Sequence, residues 1–198
     1  LLPPINTFGP AQQFLTDWRQ FKEERVSILP RMTASALMTF FKLERNRHNL
    51  RLAYSLMGIL TIPALFLLGI RLRDRKLAWI LALLGVVNPY LLYYGRYAHV
   101  YAFPLLFTVL MAAFAAGVLL DLKDKHMPRV SDVVGLCLAA LLGCHSHMSC
   151  WPLAGFFWLL IAWLLWQRRA ESWFRRSLLL LGAAFVVWFL LLLPWILK

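Results

Sequence analysis

Carboxylates are scarce in this sequence: nine Asp and Glu stand against 21 Lys and Arg, a formal net charge of +12. Charged residues of both signs make up 15% of the chain, whereas a soluble globular domain carries about 25%. That shortage excludes a molecule wetted on all sides. The excess of base does not point to nucleic acid, because no stretch has the composition of a soluble basic module. Cysteine is sparse too. Cys137, Cys144 and Cys150 are too few for a disulfide framework, although a Cys144–Cys150 bridge stays open on an oxidising face. Cys144, His145, His147 and Cys150 crowd together without the CxxC and HxxxH spacing of a zinc site, so no metal centre is expected. No cleavable signal sequence is visible at the start, and Leu1 in place of methionine predicts a processed or incomplete polypeptide.

What the sequence has instead is long apolar blocks. Hydrophobic residues account for 61% of it, with the charges confined to the gaps between runs. As helices, such runs satisfy their own backbone hydrogen bonds inside lipid. The expected fold is therefore all-α: a polytopic integral membrane protein of about six transmembrane helices plus an N-terminal interfacial amphipathic helix. The spans run Leu52–Ile70, Leu77 to about Leu92, about Val100 to Leu120, two short spans within Ser131–Trp166, and Ser177–Leu197. As one helix, Ser131–Trp166 would be about 54 Å long against a hydrocarbon core of about 30 Å, so a break is placed at HSHMSCWP (His145–Pro152). Residues 1–51 form an extracytoplasmic segment with the interfacial helix, and 52–198 the transmembrane helical domain.

The gaps predict orientation. Arg71, Arg73, Arg75 and Lys76 fill one; Lys123, Lys125 and Arg129 another; Arg168, Arg169, Arg175 and Arg176 a third. The opposite hairpins hold only Arg96 among Lys and Arg. The positive-inside rule makes the basic gaps cytoplasmic and turns the N-terminal segment outward, in a bacterial inner membrane or an ER-like one. Within that segment, RMTASALMTFFKLERNRH (Arg31–His48) places Met32, Ala36, Leu37, Phe40 and Phe41 on one helical face. Arg31, Lys42, Arg45 and Arg47 can then reach headgroups, the pattern of a helix lying in the interface. A loop packed on the bundle is the alternative.

Two polar knots interrupt the greasy chain on the outward side. In NPYLLYYGRYAHVYAF (Asn88–Phe103), Asn88-Pro89 breaks the second span, since proline removes a backbone donor and disfavours helix before it. Its five tyrosines suit an interface, and Arg96 with His99 suits a phosphate, which the planar guanidinium fork matches. In CHSHMSC (Cys144–Cys150), His145 and His147 face the same side as Arg96 and read as part of one pocket. Carboxylates for a general base are few there. Asp74, Asp121, Asp124 and Glu171 sit in the cytoplasmic gaps and Asp132 at an inner span end, leaving Asp17, Glu23, Glu24 and Glu44 outside. Asp17, in LTDWRQF, is a candidate base that also reads as a helix cap. The spans lack the buried charges of ion or proton relays, which argues against a transporter.

Several segments together resemble one family, the GT-C superfamily of polyprenyl- or dolichyl-phosphate-sugar-dependent membrane glycosyltransferases, mannosyltransferase-like in kind. ALMTFFKLERNRHNLRLAYSLMGILTIPALFLLGIRL looks like its interfacial helix leading into a span that opens on Arg51 to Ser55. Asn88–Phe103 is similar to its proline–tyrosine segment with a "QEARMYA"-like end, His99 standing where the family has arginine and Tyr97 where it has an acidic neighbour. Ser146 and His147 match a Thr/Ser-His-Tyr motif, and Pro194 and Trp195 a Pro-Trp span end. The matches keep the family's order from roughly Leu29 to Lys198.

The resemblance implies inverting transfer of a sugar from a polyprenyl-phosphate carrier to an acceptor outside the cytoplasm. Arg96, His99 and Arg51 would hold the carrier phosphate, and Tyr94, Tyr97, Tyr101, His145 and His147 would line the pocket. A divalent cation is the one cofactor to consider. The family's first span and its Asp-Glu motif would precede Leu1, so a truncated or degenerate member is expected, its base a missing carboxylate or Asp17. The alternative is a non-catalytic subunit that keeps the scaffold and binds lipids or other membrane subunits, where His99, His145 or His147 could ligate a haem or chlorophyll-type pigment.

Overall fold

A computed structural model describes residues 28–43, 47–96 and 101–196. Among them the only regular structure is helical: α1 (Ile28–Phe40), α2 (Arg47–Arg71), α3 (Arg75–Val87), α4 (Pro89–Arg96), α5 (Ala102–Lys123), α6 (Val130–Ser146), α7 (Cys150–Gln167) and α8 (Phe174–Ile196). Helices α2, α5, α7 and α8 contain stretches long and apolar enough to cross a membrane, Arg51–Arg71, Ala102–Lys123, Cys150–Gln167 and Phe174–Leu193. The architecture is that of a multi-pass helical membrane protein. Of the six expected spans, α3 has 13 residues and α6 has 17, about 20 and 26 Å, both short of a hydrocarbon core.

Helix α5 is the axis. Phe103, Leu106 and Phe107 near its start and Met111, Val118 and Leu122 further along are all buried. On one side it packs against α2, on the other against α6 and α7, and α8 lies on α6. Small residues set the close approaches, as lipid-embedded helices require when no water drives them together. Ala78, Ala82 and Gly85 form the buried face of α3. Gly69 of α2 meets the backbone of Ala78 so closely that no Cβ would fit. Gly135 of α6 faces the Phe114 ring of α5, 2.6 Å from where a Cβ would stand.

Sequence breaks fall where side chains replace helical partners. Asp74 Oδ1 accepts from the Lys76 and Leu77 amides at 2.9 Å each, capping α3. Asn88 ends α3, and its Oδ1 accepts from the Tyr90 and Leu91 amides at 2.9 and 3.3 Å, starting α4 at Pro89. The break between α6 and α7 also falls inside HSHMSCWP. Three helices end in a left-handed residue, Lys42, Arg73 and Lys125, followed by a bond back to Met38, Gly69 and Asp121 respectively.

Helix α1 presents two faces. Ala34, Ser35 and Met38 are buried, while Ala36, Phe40 and Phe41 are exposed. Ala34 and Met38 join a cluster with Ala53 and Tyr54 of α2 and Phe103 and Phe107 of α5. The small Ala34 admits the neighbouring helices, while Ala36, Phe40 and Phe41 of the expected interfacial face stay uncovered by protein. Cys144 and Cys150 are both free and buried, so the optional bridge is not formed.

Candidate functional site

The bundle has two unlike polar ends. Helix α2 runs from the end bearing α1 and α4 to the end bearing the loops after α2, α5 and α7. All five described carboxylates, Asp74, Asp121, Asp124, Asp132 and Glu171, belong to the second end.

There Asp132, 1% exposed, takes a two-pronged bond from Arg71, with N–O distances of 2.6 and 3.1 Å. Gly117 makes room for it, because a Cβ would strike the Asp132 carboxylate. Arg73 reaches Asp121 at 3.3 Å and also pairs with Asp124, and Arg129 stands 3.7 Å from Asp121. Arg168 donates to the Leu122 and Lys123 carbonyls at 3.2 and 3.0 Å, and the Trp173 indole to Lys125 at 3.1 Å, satisfying the end of α5. The buried Asp121 and Asp132 depart from the reading that the spans lack buried charge; both are paired at helix ends and do not line a path between the two ends.

The opposite end gathers the sequence-picked residues that can be described. His147 caps α6 in extended conformation, its amide donating to Gly143 at 3.0 Å. Its Nδ1 accepts from the Ser149 amide at 3.1 Å and lies 2.9 Å from the Ser149 hydroxyl. A neutral ring held this way carries its proton on Nε2. The Tyr101 ring lies 5.1 Å from the His147 ring, tilted by 55°. His145 Nδ1 lies 2.8 Å from the Leu141 carbonyl, which can only accept, so its neutral tautomer is the reverse. Beneath, Ser146 donates to Gly143 at 2.7 Å, the Trp151 indole to Cys144 at 3.1 Å, and Cys150 Sγ lies 3.8 Å from the Thr108 hydroxyl. The turn is therefore braced from α5, α6 and α7.

Arg51 is half-buried in the second turn of α2, one turn before Tyr54, whose ring meets Phe103 edge-on at 5.4 Å. That contact puts Arg51 at the same end as Tyr101. Arg96 closes α4 and Tyr94 lies within it; their side chains, and Asp17, Tyr97 and His99 altogether, lie outside the described residues. Ser149, which fixes the His147 tautomer, was not singled out by sequence; the His-x-Ser spacing was the available signal. Among the described residues no group of three His, Cys, Asp or Glu could hold a metal ion. No family model, no curated protein and no solved structure matches this chain.

Proposed function

We propose that the chain is the membrane-embedded part of a GT-C-type glycosyltransferase that takes a sugar from a polyprenyl-phosphate carrier to an acceptor on the extracytoplasmic side. The observation that carries this reading is the Tyr101–His147 contact. It joins the tyrosine-rich segment to the CHSHM segment, the two motifs whose resemblance implies one pocket. In this reading the His147 Nε2–H, Arg51 and Arg96 converge on the carrier phosphate, which two or three cationic or N–H donors stabilise as a leaving group. The basic loops face the cytoplasm, α1 rides at the outer interface with Phe40 and Phe41 toward lipid, and α3 with α4 and the short α6 complete six crossings.

A second reading, a non-catalytic lipid-binding subunit on the same scaffold, is favoured by a different observation: every described carboxylate stands at the opposite end, the four aspartates among them engaged in a cap and in ion pairs. One reconstitution separates the two. With a polyprenyl-phosphate sugar in liposomes, the glycosyltransferase reading expects carrier binding and sugar transfer, with Arg96→Ala lowering transfer at least tenfold at equal expression. Carrier binding without transfer in the full chain supports the second reading. If Arg96→Ala and His147→Ala both leave carrier binding unchanged, the pocket assignment fails.

A further inference from the structure

Helices α7 and α8 touch little, although they are joined by a short turn, and an open groove of about 640 Å³ runs between them. Its walls are apolar along their length, but both end in arginine at the charged end of the bundle. On α7, Leu159, Ala162 and Trp166 line the groove, and the same alternation of three and four residues next reaches Arg169. The Arg169 guanidinium lies over the Trp166 ring, 5.4 Å from its centroid, which sets it at the groove mouth. On α8, Phe185, Gly182 and Leu178 line the groove, and the same alternation next reaches Arg175. Both arginines are exposed, and neither enters an ion pair among the described residues. Arg168 is turned away to the Leu122 and Lys123 carbonyls of α5. Glu171, the carboxylate of the joining turn, pairs with neither Arg169 nor Arg175.

Charge and depth narrow the occupant. Apolar walls below two free guanidiniums suit an amphiphile with a hydrocarbon body and an anionic head at the membrane surface. The guanidinium fork matches phosphate oxygens, and bases beside a membrane are drawn to anionic lipid. Half of a hydrocarbon core of about 30 Å is about 15 Å, or about ten helical residues. An acyl chain entering beside Trp166 therefore reaches past Trp158 and passes Gly182, where a Cβ would meet nothing within 4 Å. A second copy of the chain suits the groove less well. Two copies in one membrane share an orientation, so a two-fold contact here would bring the unpaired arginines of both to one level, where they repel.

We propose that the α7–α8 groove binds one anionic diacyl phospholipid from the leaflet at the charged end, its phosphate between Arg169 and Arg175 and one acyl chain along the groove. The site uses the membrane fold alone and stands apart from the sugar-transfer reading, whose carrier phosphate belongs to the opposite end.

Native mass spectrometry of the detergent-purified full chain, titrated with dioleoyl phosphatidylglycerol or dioleoyl phosphatidylcholine, tests the site. One phosphatidylglycerol is expected to bind saturably per chain, at least tenfold more tightly than phosphatidylcholine, which has the same chains and phosphate but carries a compensating ammonium. Arg169→Gln/Arg175→Gln removes that preference. Arg75→Gln/Lys76→Gln takes the same charge from the same end, on α3 against α2, and leaves the preference within twofold. Gly182→Leu fills the open space and weakens phosphatidylglycerol binding at least tenfold. Equal affinity for the two lipids, a preference that survives loss of Arg169 and Arg175, or binding unmoved by Gly182→Leu would overturn the site. An equal loss with Arg75→Gln/Lys76→Gln would overturn it too, by making the effect one of diffuse charge. So would a purified dimer that Gly182→Leu converts to monomer, since a helix of a second copy would then be the occupant.

Discussion

The two ends of the bundle solve the same problem differently. At the end of the three basic loops, helix termini are closed by long-range charge: Arg71 on Asp132, Arg73 on Asp121 and Asp124, Arg168 on the last carbonyls of α5. At the other end, closure is local and neutral, through Asn88 on Tyr90, Ser149 on His147 and Ser146 on Gly143. The first arrangement consumes its carboxylates and fixes helices separated widely in sequence. The second leaves the Tyr101 ring exposed beside a half-buried His147. The contrast predicts that substitutions cost more stability at the charged end than at the ring-bearing end.

That contrast can be broken most sharply at Asp132. Asp132→Ala strands the Arg71 guanidinium and is expected to lower unfolding free energy by about 3 kcal/mol, read by chemical unfolding in detergent. Arg71→Met/Asp132→Leu should recover most of the loss, because no charge is left unpaired; failure to recover would assign the loss to packing around Gly117 instead. Trp173→Phe removes one tether between the α7–α8 loop and Lys125 and should cost about 1 kcal/mol. At Lys125, whose φ of 60° is left-handed, glycine should stabilise by about 1 kcal/mol, seen as a raised unfolding midpoint. The smallest effect belongs to the other end. Tyr101→Ala should shift stability by under about 0.5 kcal/mol while weakening carrier binding. A large loss of stability there would make Tyr101 a structural residue and erase the contrast.

The breaks in the chain were legible because their causes are local. Asn88-Pro89 interrupts a helix by its own chemistry, and the length of Ser131–Trp166 demands a turn that the His145–Pro152 stretch supplies. The face of α1 that meets the bundle was not legible, because Ala34 and Met38 are covered by α2 and α5 and by nothing within their own segment. The Arg71–Asp132 pair was hidden in the same way, its members 61 residues apart with nothing in either neighbourhood to name the other. The candidate site was half legible. Tyr101 and His147 were chosen from composition and resemblance, whereas the role of Ser149 required coordinates.

Hydropathy by itself determined the helices and the membrane class, since backbone hydrogen bonding in an apolar solvent is satisfied within each segment. The tally of basic residues likewise marked which loops would gather at one end. Only the tertiary structure decided which arginine meets which carboxylate, that Tyr101 rests on His147, and that α7 and α8 part along an open groove. Those outcomes depend on ångström-scale distances between side chains far apart in sequence, and small residues such as Gly69, Gly117 and Gly135 set them by controlling how closely the helices approach.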